Sequence, residues 1–283
     1  SERQTMDARI LQALDLMESR MDRDLNVDAL AAEVGLSLFH FHRLFARSVG
    51  ETPAEYLRRI RIDGAALRLR WTREPVGTVA GALGYTSQAA FTRAFRERYG
   101  VTPLQFRKDS RLWPPLPVDG RLHHAATERN APSYRCVARR FFGSLKFVPQ
   151  RWRTFVDELP EFVRSLSLGP CIGLVYDDPR FTPPEQIRYD CCLVIGDGDL
   201  NADAIRLARS NLREFRTRPG RYVCQPHHGG YIDVGKSYSR LLDHWIASSS
   251  YSLTEDPALE WYETPPLAGP AGVLDIVLML PVR

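Results

Sequence analysis

The sequence predicts a two-domain chain: an all-α N-terminal half with two helix-turn-helix units joined by a long helix, then an α+β half of duplicated strand-helix-strand-strand units. Three observations carry this. Segments 34–56 and 83–106 repeat one pattern, in which Arg43 matches Arg93, Phe45 matches Phe95, Gly50 matches Gly100, Thr52-Pro53 matches Thr102-Pro103 and Tyr56 matches Phe106 at a constant offset. Prolines 114, 115, 117 and 132 then gather in 111–132, which reads as a linker between domains at 1–110 and 133–283. Beyond it Val137, Gly143, Trp152 and Phe155 are answered at a second constant offset by Val223, Gly229, Tyr238 and Leu241. At 283 residues the chain is long enough for two separate cores.

The N-terminal elements follow from apolar spacing and caps. Ile10, Leu11, Leu14, Leu16 and Met17 mark an opening helix. Asn26 caps a second, with Leu30, Ala31 and Val34 on one face, and Gly35 permits the turn that follows. Ser37 caps a helix over about 38–48, with Phe41, Leu44 and Phe45 inward and Phe39, His42 and Arg43 outward. The second unit repeats this. Val79, Ala80 and Leu83 precede the turn at Gly84, Ser87 caps, Phe91, Ala94 and Phe95 point inward, and Gln88, Ala89 and Arg93 point outward. Between the units, 56–71 reads as one helix with a basic face of Arg58, Arg59, Arg61, Arg68 and Arg70. Gly64 inside it costs about 1 kcal/mol relative to alanine, which predicts close packing there. Recognition helices held about 34 Å apart would enter successive major grooves on one side of B-form DNA, so a monomer could bind.

Charge is distributed to match. Residues 34–110 carry 13 Lys or Arg against 6 Asp or Glu, whereas 111–283 carry 21 against 20, so only the paired units favour a polyanion. Arginine supplies nearly all of the excess, and its planar fork suits phosphate and guanine. Arg47, Arg96 and Arg98 read as backbone or surface charges, and Arg43 and Arg93 as solvated charges or phosphate clamps unless they reach base edges.

The second half alternates extended and helical writing. Residues 134–142 read as a strand, Gly143 opens a loop, and a helix carries Trp152, Phe155, Val156 and Phe162. Extended stretches follow at 171–176 and 188–195; after 221 the order repeats, with a helix at 234–248, a strand around 259–262 and a closing strand at 273–280. Two such units about a pseudo-twofold would leave a groove between their helices. Cys136, Cys171, Cys191, Cys192 and Cys224 lack C-x-x-C spacing and read as reduced, buried thiols. His40 and His42 lack partners for a metal, and the neighbours in His123-His124 and His227-His228 face opposite ways if extended. No cofactor motif is present. Neither a signal pattern nor a run near the roughly 18–20 apolar residues of a membrane span is found, so a cytoplasmic protein without membrane partners is expected.

The doubled unit, its Gly-[Leu/Tyr]-[Ser/Thr] turns and the closing run from Gly100 to Arg107 resemble the DNA-binding domain of AraC/XylS-type bacterial transcription regulators over about 7–110. The resemblance implies double-stranded promoter DNA and RNA polymerase as partners and a nucleoid-associated location. It also implies base reading by Phe39, His42 and Arg43 in the first unit and Gln88, Ala89 and Arg93 in the second. Phe39, Ala89 and Ala90 depart from polar readers and point to thymine-methyl packing or a looser fit.

The run from Cys224 to Tyr231 before a helix, with Glu260-Trp261-Tyr262 followed by Pro265, resembles the GyrI-like effector-binding domain found behind Rob-type DNA-binding parts. That likeness implies a small, lipophilic or cationic effector in an aromatic groove with Glu260 as its acid and Trp152, Tyr176, Tyr231 and Trp261 as walls. Two alternatives stay open: hydrolysis of a small molecule with Glu260 as base and Tyr231 or Tyr176 as helper, or a protein-interaction module without ligand.

Overall fold

A computed structural model of the chain describes residues 6–22, 25–109, 126–196, 211–263, 265–267 and 272–283. The chain divides into two compact units, Ser1–Pro114 and Pro115–Arg283. The linker prolines 114, 115 and 117 and the pair His123-His124 lie outside the described residues.

The described part of the first unit is helical: α1 (Ala8–Ser19), α2 (Val27–Glu33), α3 (Leu38–Val49), α4 (Pro53–Trp71), α5 (Val76–Ala82), α6 (Gln88–Tyr99) and α7 (Pro103–Lys108). Local chemistry sets these bounds. Asn26 accepts from the backbone N–H of Asp28 and Ala29, Ser37 from His40 and Ser87 from Ala90. Gly50 and Gly100 close α3 and α6 at φ 88° and 74°, conformations that penalise a side chain. Thr52 with Glu55 and Thr102 with Gln105 then form matching capping boxes that start α4 and α7 behind Pro53 and Pro103. Phe41, Phe45 and Tyr56 are fully buried in one half and Phe91, Phe95 and Phe106 in the other, each worth about 1.5–3 kcal/mol of burial. Leu44 and Ala94, expected inward, are only half-buried at the margin of these stripes.

Two expectations for α4 need correction. Its arginines do not form a free basic face. Arg59 and Arg68 are buried, pairing with Glu51 and Glu74, Arg58 pairs with Glu97, and Arg61 donates to the Met21 carbonyl at 2.7 Å. Burial of α4 on most sides drew carboxylates onto them. Gly64 is not closely packed either, since an added Cβ would meet nothing nearer than Leu83 Cδ2 at 3.8 Å.

The second unit contains one antiparallel sheet of eight described strands: β1 (Thr127–Ala131), β2 (Arg135–Phe142), β3 (Ser167–Val175), β4 (Arg188–Ile195), β5 (Arg213–Arg216), β6 (Gly220–Gly230), β7 (Ala258–Tyr262) and β8 (Val273–Pro281). Their spatial order is β1-β6-β8-β7-β3-β4-β2-β5. Helices α8 (Val148–Asp157) and α9 (Glu161–Arg164) follow β2, and α10 (Val234–Ser239) follows β6, its hydrogen bonds widening to i→i+5 over Arg240–Ile246. Phe162 falls in α9 rather than in one continuous helix, because Pro160 ends the preceding run. Thr127–Ala131, expected as linker, pairs instead with β6 as an edge strand.

Strand order and connection length together fix the shape of this sheet. β1 and β2 stand six strands apart, about 29 Å if flat, yet only Pro132, Ser133 and Tyr134 join them, a reach of about 14 Å. Arg216 and Gly220 impose the same limit between β5 and β6. The sheet therefore curls. Its inner face holds Cys136, Ala138, Ile172, Leu174, Cys192, Leu259 and Met279, and Tyr134 meets Trp261 there at 4.8 Å between ring centroids. All five cysteines are buried as free thiols, as expected.

Candidate functional site

The first candidate surface is the outer side of α3 and α6. Gly35 and Gly84 turn the chain at φ 71° and 79°, which brings the Ser37 and Ser87 caps into place and starts both helices. With Phe41 and Phe45 committed to the core, 3.6-residue spacing leaves Phe39 76% exposed and Arg43 and Arg47 exposed. On α6 the same logic exposes Gln88, Ala89, Arg93 and Arg96. Those four, with Thr92, Glu97 and Thr102, line one open depression. His42 is half-buried and meets Phe41 edge-on at 6.3 Å. The Arg43 guanidinium lies 5.7 Å from the Phe39 ring centroid, so the aromatic face holds the cation beside it. Among the described residues Arg43, Arg47, Arg93 and Arg96 have no ion-pair partner, in contrast to the arginines of α4. Four solvated guanidiniums on two helix faces suit an anionic lattice.

The second candidate site is built around Glu260 on β7. Register places Glu260, Gly173, Cys191 and Arg139 in one row across β7, β3, β4 and β2, all facing the helices. Glu260 is 1% exposed. Its Oε2 accepts from Tyr189 at 2.8 Å and Tyr262 at 2.7 Å, and Tyr231 donates to Oε1 at 3.2 Å. Trp152 supports the arrangement by donating Nε1–H to the Tyr189 hydroxyl at 3.1 Å. Gly173 makes room, because a Cβ there would fall 2.1 Å from that hydroxyl. Tyr231 and Tyr238 are half-buried, and the Tyr238 hydroxyl oxygen is buried without a hydrogen-bond partner among the described residues.

Electrostatics distinguishes this carboxyl from the other buried one. Burial pushes Glu260 above the usual carboxylate range, although the hydroxyls of Tyr262, Tyr189 and Tyr231 pull against it. It has no ion-pair partner among the described residues. The tyrosines stay neutral donors, raised well above their ordinary value by burial and next by the Glu260 charge. Asp190 is equally buried on the opposite face. Burial opposes its ionisation too, but the Arg140 and Arg213 guanidiniums outweigh that and hold it below the ordinary value. Its charge is balanced within the fold; among the described residues that of Glu260 is not.

Of the residues read as walls from sequence, Trp152 and Tyr231 gather at Glu260, whereas Tyr176 and Trp261 do not. Trp261 follows Glu260 directly in a strand, so the two-residue period sends it to the inner face, against Tyr134. Tyr176 donates to Asp190 Oδ2 at 2.7 Å, with the Arg140 guanidinium 4.4 Å from its ring centroid. Sequence reasoning missed Tyr262 and Tyr189. Tyr262 was available by alternation, two residues beyond Glu260, whereas Tyr189 required the strand order.

His227 and His228 point to opposite faces of β6, as expected, and His227 is buried with Nδ1 2.9 Å from the Ser237 hydroxyl. Among the described residues no group of histidine, cysteine and acidic side chains could hold a metal, and no helix is long and apolar enough to cross a membrane.

Comparison with known proteins finds a family match for each half of the chain. Residues 30–109 match a helix-turn-helix domain family, and 127–283 match the GyrI-like small molecule binding domain. The regulatory protein SoxS of Salmonella typhimurium is 36% identical over 99 residues, 35% of this chain and 92% of SoxS. The right origin-binding protein of Escherichia coli K12 is 34% identical over 92 residues, 32% of each chain. Among solved structures, an AraC-type transcriptional regulator from Chromobacterium violaceum aligns with 38% of this chain and 94% of its own at 28% identity and a TM-score of 0.35. With the GyrI-like match covering more than half of its residues and SoxS matched over nearly its whole length, the chain belongs to the AraC family of DNA-binding transcription regulators and carries a GyrI-like domain.

Proposed function

We propose that this regulator reads a promoter duplex with α3 and α6 and senses a small lipophilic cation at Glu260. Phe39, His42, Arg43, Gln88, Ala89 and Arg93 face base edges, and Arg47 and Arg96 hold the phosphate backbone. The DNA-binding part is 1–110, with two helix-turn-helix units on either side of α4. The effector part is two copies of one strand-helix-strand-strand unit, β2-α8-β3-β4 and β6-α10-β7-β8. RNA polymerase is the partner in transcription, and the protein works in the bacterial cytoplasm at the nucleoid.

One observation carries the effector reading: a carboxyl that is 1% exposed, ringed by tyrosine hydroxyls and without a counter-charge among the described residues. Burying an uncompensated charge is costly, and a guest cation removes that cost while its apolar body packs against Trp152, Tyr231 and Tyr238. The test is calorimetric titration of the full chain with a lipophilic quaternary ammonium and with its neutral carbon isostere. Binding of the cation alone, lost in Glu260→Gln, supports the reading; equal binding of both, or of neither, rejects it.

A further inference from the structure

The ion pairs of α4 form a continuous path between the two exposed helices. Glu51, just beyond the Gly50 cap of α3, accepts from Arg59 Nε at 2.9 Å and Nη2 at 2.6 Å. The Arg59 side chain is buried, and its Nη1 lies 3.7 Å from Asp63 Oδ2 one turn further along α4. Asp63 is 1% exposed. It accepts from Arg98 Nε and Nη2, both at 3.1 Å, and from the Tyr99 hydroxyl at 2.6 Å. Arg98 and Tyr99 are the last two residues of α6.

We propose that Asp63 is a positioning residue for DNA recognition, locking the pitch of α3 and α6 to the connector so that both meet the duplex at one fixed spacing. The inference rests on the reading of α3 and α6 as the DNA-contacting helices. Helix formation itself does not ask for aspartate in the middle of α4, where it ranks among the weaker formers. Arg58 and Glu97 add a second pair between α4 and α6, but both are exposed and weakly held. The path through Arg59 and Asp63 is different, because these two are buried and their outer partners Glu51 and Arg98 are half-buried. Two carboxylates and two guanidiniums bind one another in a fixed geometry, and removing one member leaves buried charge uncompensated.

Rigid coupling has a signature that stability alone lacks. Two readers on a stiff frame make the second contact intramolecular, with a large effective concentration only where the spacing matches. One inserted base pair moves the second half-site by about 3.4 Å and turns it by roughly one tenth of a helical turn, which a rigid frame cannot follow and a hinged one can.

The experiment uses a duplex selected from random DNA by the full chain, the same duplex with one base pair inserted between the half-sites, and one with a single half-site scrambled. Wild type, Asp63→Asn and the milder Tyr99→Phe are compared by anisotropy, with folding checked by circular dichroism. Wild type should lose about 100-fold on insertion. Asp63→Asn should shrink that penalty at least about tenfold while binding the scrambled duplex within about twofold of wild type, and Tyr99→Phe should fall between. If Asp63→Asn does not fold, Tyr99→Phe decides. An insertion penalty unchanged in the folded variants, or affinity lost equally on all three duplexes, overturns the proposal. A wild type that binds selected and random DNA alike instead overturns the reading of α3 and α6 beneath it.

Discussion

Tyr189 donates its hydroxyl proton to Glu260 Oε2 at 2.8 Å, and it reaches that oxygen only because residue 173 has no side chain. Gly173→Ala would place a methyl 2.1 Å from the hydroxyl. Displacement of Tyr189 should cost about 1–3 kcal/mol in denaturant unfolding and weaken cation binding at the same time. Unchanged stability would show that the tyrosine has another place to go.

Gly64→Ala should do the reverse. The nearest neighbour of the added carbon is Leu83 Cδ2 at 3.8 Å, so the helix interior gains alanine's propensity without a clash. A gain of about 0.5–1 kcal/mol is expected in the same unfolding assay. A loss would mean that the neighbours of Gly64 cannot accept even a methyl.

The raised pKa of Glu260 fixes the sign of two pH effects. Its folded-state value lies above the unfolded one, so the stability it contributes is present below the unfolded pKa and is lost as pH rises through the folded value. Glu260→Gln should flatten that loss in melting curves recorded from pH 4 upward. Cation affinity should rise over the same window in wild type and stay flat in the variant. A cation affinity that falls with rising pH would contradict the assignment.

Arg43→Ala and Arg93→Ala should each weaken the selected site by about 1–3 kcal/mol relative to random DNA, whereas Arg47→Ala should weaken all sequences alike and reduce the salt slope by about 1. Competition titrations at several salt concentrations separate the two patterns.

Phe39 is 76% exposed, so Phe39→Ala should leave stability within about 0.5 kcal/mol of wild type. Selection from random DNA should show relaxed preference for thymine at the base pair it covers. An intact preference would place the ring on the sugar-phosphate edge or off the duplex.

Much of the first unit was legible because its signals are local. Asn26, Ser37 and Ser87 cap within three residues of themselves, and Phe41, Phe45, Phe91 and Phe95 declare the buried stripe by spacing alone. The pairing of the α4 arginines is not legible, for the opposite reason. Whether Arg59 faces water or Glu51 depends on how α4 is covered, which periodicity does not encode. At the buried carboxyl, Glu260, Trp152 and Tyr231 could be found from the repeat and the resemblance. Trp261 adjoins Glu260 in sequence but the pleat sends it to the other face, and Tyr176 turns to Asp190, a partner that only the strand order reveals. Tyr189 joins Glu260 across two strand pairings, 71 residues apart in the chain, and no local pattern announces it.

The two three-residue joins, at 132–134 and 217–219, act as hoops at either margin of the curled sheet. Neither half of this ribbon can peel away while the other stays formed, since each hoop ties one half's outermost strand to a strand of the other. The GyrI-like half should accordingly melt as a single body, and on the proposed reading a guest at Glu260 tightens all eight described strands together.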